Sequence, residues 1–152
     1  MSEAPPAFTY GDDPDLPGWS RWTISDPTRF NSLFGPLAVK LDDGIARVRF
    51  DAQHIHTNLR GNVHGGALLG FIDMALFAAG RSFGVLGAGT AATLDLSTQF
   101  IAGAPLGDGA IEARIELLRE TGHLLFLRGL IVQGETIIVS FSGTIRKPSP
   151  SK

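Results

Sequence analysis

Residues 65–82 read GGALLGFIDMALFAAGRS. The run is too long for an ordinary strand, rich in alanine and leucine, and apolar nearly all round, so it predicts a helix that other elements must wrap on every side. The glycine-rich GVLGAG that follows breaks it, and the apolar period then drops from helical to alternating. Ala92, Leu94, Leu96, Thr98 and Phe100 alternate with Thr93, Asp95, Ser97 and Gln99. Ile111, Ala113, Ile115 and Leu117 alternate with Glu112, Arg114 and Glu116. LLFLRGLIVQ turns at Gly134-Glu135 into TIIVSFSGTIRK, where Ile137, Val139, Phe141 and Ile145 are expected to share a face. Upstream, LAVKL and IARVRF flank Asp42-Asp43-Gly44, a hairpin signal because Asp and Gly tolerate the positive φ of tight turns. Two short strands, one long helix and four longer strands pack most economically as an antiparallel sheet of about six strands curled around that helix, an α+β architecture. One helix cannot cover both faces of such a sheet, so an edge or apolar surface should remain for a second copy.

The chain has 152 residues, 43% apolar and 18% charged, which suits one domain with a real core. Thirteen Lys and Arg against 15 Asp and Glu give a net charge of −2 with no basic run, so nucleic acid is an unsuited partner. No cysteine is present, which excludes disulfides, cysteine zinc sites and thiol nucleophiles. The N-terminus has neither a basic nor an apolar leader region, and the most apolar stretch is interrupted by Asp73, so a soluble cytoplasmic protein without membrane contact is expected. Residues 1–18 hold four of the nine prolines and an acidic cluster. On that composition residues 1–25 are expected as a flexible arm, 26–147 as the single domain and 148–152 as a loose tail, with a short helix after Asp26-Pro27 carrying Phe30, Leu33 and Phe34.

Asp73 is the unusual residue, flanked by Ile72 and Met74 with Leu69, Leu76 and Phe77 a turn away. A buried ionised carboxylate costs several kcal/mol unless it is partnered, and a carboxylate kept there suits a general base. Eight residues upstream stands H-x-H-x-N-x-x-G-x-x-H-G-G, residues 54–66, where the helix should begin. Free N–H groups and the positive helix end favour a developing oxyanion there, and glycine lets a substrate approach the main chain. Gly65 and Asp73 lie about 12 Å apart along a helix, too far to act on one carbonyl. Two such helices antiparallel across a dimer would bring one chain's N-terminus to the other's aspartate.

HTNLRGNVHGGALLGFIDMA resembles the signature of hotdog-fold acyl-CoA thioesterases of the phenylacetate-degradation (PaaI-like) group, and the derived strand order is similar over residues 30–147. The resemblance implies a hotdog fold, hydrolysis of an acyl-CoA thioester, a homodimer or dimer of dimers, and no cofactor or metal beyond the coenzyme A of the substrate. It implies that Gly65 offers its N–H and Asn58 its side-chain amide to the thioester oxygen, while Asp73 of the facing chain activates water or attacks directly. His64 would orient the Asn58 region or the thiolate end, and Thr93 would hold the water. Phe71 and Ile72 depart from the group's pattern and, with Gly66, would border the acyl pocket; Arg119, Arg146 and Lys147 would meet the coenzyme A phosphates.

Other chemistries fit less well. His54 and His56 with His64 or Asp73 make a weak zinc pattern. No G-x-S-x-G elbow exists for a serine hydrolase, and GVLGAG follows a helix rather than a strand, against a dinucleotide loop. A hotdog hydratase would carry His five residues after its Asp, where this chain has Ala78. A non-catalytic acyl-CoA binding or sensing module remains the alternative, although such a binder needs no carboxylate in an apolar pocket.

Overall fold

The Asp43-Gly44 turn has both residues at positive φ, 49° and 76°, the geometry of a tight hairpin whose twist matches its strands. It joins two strands of a computed structural model that describes residues 3–87 and 89–149. In chain order these residues form β1 (Phe8–Asp12), β2 (Ser20–Ile24), a 3₁₀ turn (Phe30–Phe34), β3 (Leu37–Asp42), β4 (Ile45–Phe50), a second 3₁₀ turn (His54–His56), α1 (Gly65–Ser82), β5 (Ala92–Phe100), β6 (Ile111–Glu120), β7 (Leu124–Gln133) and β8 (Thr136–Arg146). The strands make one antiparallel sheet in the order β1-β2-β3-β4-β6-β7-β8-β5. The sheet curls around α1, whose Leu68, Phe71, Ile72, Ala75 and Leu76 are buried against it. Gly143 of β8 permits the closest approach, since a Cβ there would stand 2.6 Å from a Leu76 methyl.

Eight strands replace the six expected, because the arm assigned to residues 1–25 contains a hairpin. Phe8 pairs with Ile24 through to Asp12 with Ser20, and β2 continues onto β3. Its prolines, and its acids other than Asp12, fall outside the strands, while Phe8, Tyr10 and Trp22 pack on one another and give the hairpin an aromatic face. Of the tail expected over 148–152, residues 150–152 lie outside the described residues, as does Ala88 in the GVLGAG break.

Three bulges among the described residues break the simple alternation, one of them at Leu118 between β6 and β7. Between β7 and β8 the register shifts so that Ile138 is the extra residue, fully buried, and Ile137 leaves the face of Val139 and Phe141. Between β5 and β8, Leu94 is the extra residue, with Thr93 opposite Ile145 and Asp95 opposite Thr144. Thr93 thereby joins the helix side of the sheet, whereas unbroken alternation would set it beside Asp95 on the outer side. Nor is α1 wrapped all round. A stripe through Gly66, Gly70, Asp73, Phe77 and Arg81 is only partly covered. Among the described residues no helix is long and apolar enough to cross a membrane.

Candidate active site

Asp73 lies on that stripe, half-buried, and its Oδ1 accepts a hydrogen bond of 2.5 Å from the Thr93 hydroxyl. Twenty residues separate the two, and the Leu94 bulge brings the hydroxyl to the carboxylate. The hydroxyl keeps its own lone pairs for a water, and the second carboxylate oxygen is left free of it. Asp73 also borders a cavity of about 320 Å³ whose other walls are chiefly apolar: Phe8, Trp22 and Ile24 from the N-terminal hairpin, Leu37 from β3, and Met74, Phe77 and Ala78 from α1.

At the start of α1, His64 is the N-cap, and its Nδ1 accepts the Gly66 N–H at 2.8 Å. Gly66 therefore spends its donor inside the protein rather than on a substrate. The Gly65 N–H has no acceptor among the described residues, and this glycine faces the Phe100 ring at the end of β5. Asn58 opens a tight turn: its Oδ1 accepts the N–H groups of Arg60 and Asn62, at 2.9 and 3.1 Å, so its Nδ2 is the end not held by the loop. Within one protomer the two ends of the constellation stay apart, Gly65 and Asn58 at the head of α1 and Asp73 with Thr93 about 12 Å along it.

Several expected roles change. Phe71 and Ile72 are fully buried; Phe71 packs its ring on Phe50 and Phe34, and neither borders the Asp73 cavity. The cavity walls that the sequence reading missed, Phe8 and Trp22, lie in the segment taken for an arm, and their only signal was the aromatic clustering there. Lys147 donates to Glu120 at 2.8 Å, which occupies its charge, whereas Arg119 and Arg146 are exposed at the ends of β6 and β8. His56, half of the H-x-H pattern, is buried with both ring nitrogens in use: Nδ1 accepts from the Gln53 N–H at 2.8 Å and Nε2 donates to the Leu33 carbonyl at 2.7 Å.

With this geometry in place, the likeness to known proteins can be read. The model of the thioesterase superfamily matches residues 60–139, just over half the chain, spanning α1, β5, β6, β7 and part of β8. The chain belongs to the thioesterase superfamily. No protein of curated function matches its sequence. Among solved structures it is similar to the TT0310 protein of Thermus thermophilus, at 26% identity and a TM-score of 0.65 over 82% of this chain and 99% of the other. A variant of the phenylacetic acid degradation protein PaaI from the same organism gives 26% and 0.65 over 80% and 99%, and a conserved protein from Pseudomonas aeruginosa gives 25% and 0.66 over 78% and 93%. The fold is thus that of the PaaI-like hotdog thioesterases.

Proposed function

We propose that this thioesterase-superfamily chain hydrolyses an acyl-CoA thioester to a carboxylic acid and coenzyme A, with Asp73 as the general base or nucleophile. The observation that carries the reading is the Thr93–Asp73 hydrogen bond, which holds a half-buried carboxylate at the wall of an apolar cavity in the least polar element of the chain. A water accepted by the Thr93 oxygen lies beside the free oxygen of Asp73. Asp73 takes its proton as the water attacks the thioester carbon, the C–S bond breaks, and the thiolate leaves with that proton. Direct attack by Asp73 reaches the same products through a mixed anhydride that water opens.

The carbonyl oxygen, negative as attack proceeds, accepts from the Gly65 N–H and the Asn58 amide. These donors come from the facing protomer of a homodimer. The free edge of β5, with Leu94, Phe100 and Ile101 exposed, supports its joining the same edge of a second copy, which sets the two helices antiparallel. His64 acts through its cap, fixing the first turn of α1 and with it the direction of the Gly65 N–H. Arg119 and Arg146 are the bases left to meet coenzyme A phosphates. No cofactor is needed, and a coenzyme A thioester as substrate would set the protein in the cytoplasm; a dimer of dimers is compatible with the single edge each copy uses.

Asp73→Asn should lower kcat by about 10²- to 10⁴-fold, the usual worth of a positioned base. Thr93→Val, which removes a bond to a charged group of about 1.5–3 kcal/mol, should lower it about ten- to hundredfold. Turnover unchanged in Asp73→Asn would reject the assignment. A parent protein that binds an inert coenzyme A thioether but hydrolyses no thioester would favour the sensing module instead.

A further inference from the structure

The cavity beside Asp73 has a second charged group at its other end. Asp73, Phe77 and Arg81 succeed one another at four-residue steps on one face of α1, so the carboxylate and the base of the guanidinium stem stand about 12 Å apart with the Phe77 ring between them. Phe8, Trp22 and Ile24 roof this channel, and Phe8 and Trp22 are themselves stacked at 5.3 Å and 6°. The Arg81 guanidinium lies over the Phe8 ring at 4.9 Å from its centre. Among the described residues its only hydrogen bond is a long one, 3.4 Å to the Gly87 carbonyl, and no carboxylate stands within ion-pair distance. A guanidinium held over an aromatic ring without an ion-pair partner keeps N–H groups for a planar acceptor, and a carboxylate matches that fork.

We propose that Arg81 sets the acyl specificity of the site, selecting acyl groups with an apolar body and a carboxylate at the far end. The inference rests on the reading of Asp73 as the reacting end of the cavity. In this arrangement the thioester lies at Asp73, the methylene or ring portion fills the space between Phe8, Trp22 and Phe77, and the terminal carboxylate meets Arg81. The discrimination has a sign that depends on Arg81 alone. With it, a second anion in the cavity gains a charge-assisted bidentate bond; without it, that anion meets chiefly apolar walls and the like charge of Asp73.

The test compares succinyl-, adipoyl- and suberoyl-CoA with butanoyl-, hexanoyl- and octanoyl-CoA on the wild-type chain, Arg81→Met and Arg81→Lys. At the best-fitting length the wild type should favour the carboxyacyl substrate at least about tenfold in kcat/KM, equivalent to about 1.4 kcal/mol. Arg81→Met, which keeps an apolar stem over Phe8, should reverse the preference, and Arg81→Lys should retain part of it. A wild type that favours the neutral acyl group at every length, or an Arg81→Met that slows both series alike, overturns the proposal. Failure of all hydrolysis would count against the thioesterase reading rather than this one, which binding then decides. Monomethyl adipate, whose ester stands in for the thioester, should raise the melting temperature of the wild type more than methyl hexanoate does, and this difference should vanish in Arg81→Met; equal shifts in the wild type would overturn the assignment.

Discussion

At the scale of single residues, neighbours in the sequence have opposite duties. Ile72 and Asp73 are adjacent on α1, yet Ile72 is fully buried in the core while Asp73 faces the open stripe, because successive helical residues point about 100° apart. The acyl preference should therefore ignore Ile72. Ile72→Val should cost about 1 kcal/mol of stability, read by chemical denaturation, and leave the ratio of kcat/KM across acyl lengths unchanged. A changed ratio would return Ile72 to the acyl pocket. Asp73 stood out in the sequence because a charge in an apolar run needs a reason. The separate fates of Gly65 and Gly66 were not legible, since they depend on His64 turning its Nδ1 back to the second glycine's N–H and leaving the first free.

At the scale of elements, helix α1 was readable to its ends from composition and the glycines around it, and the β3–β4 hairpin from Asp43-Gly44. The bulge at Leu94 was not. Alternation alone groups Thr93 with Asp95, and only pairing with β8, a long-range property, slips the register and turns Thr93 toward Asp73. The same strand bears on assembly. Phe100 is 53% exposed at the end of β5 and lies against Gly65, so a charge there should disturb both the proposed dimer edge and the proposed oxyanion donor. Phe100→Asp should shift the protein toward monomer in sedimentation and lower specific activity in proportion, with partial recovery at high protein concentration. Full activity in a monomeric Phe100→Asp would contradict a site divided between protomers.

At the scale of the whole molecule, the outer face of the sheet is held by one carboxylate. Glu112 on β6, with 4% of its side chain exposed, accepts from Arg114 at 2.6 Å, Arg49 at 2.5 Å and Arg47 at 3.0 Å, tying β6 to β4. Trp19, just before β2, lies over the guanidiniums of Arg47 and Arg49 at 5.0 and 4.5 Å, which extends the tie to the N-terminal hairpin. Alternation marked Glu112 only as a solvent-facing residue; its burial arises from three long side chains meeting over it. Burial disfavours its charge, but the hydrogen bonds from Arg114, Arg47 and Arg49 outweigh that cost and hold its carboxyl below the ordinary value of 4.5. A depressed carboxyl contributes stability that is complete above the unfolded value and is lost as pH falls through the lower folded one. The wild type should accordingly lose stability steeply on acidification below about pH 4.5. Glu112→Gln should be less stable by about 2 kcal/mol at neutral pH, because hydrogen bonds to a charged group are lost, and should show a shallower acid limb. Parallel stability–pH curves for the two proteins, measured by urea unfolding, would mean that the three arginines do not need this carboxylate.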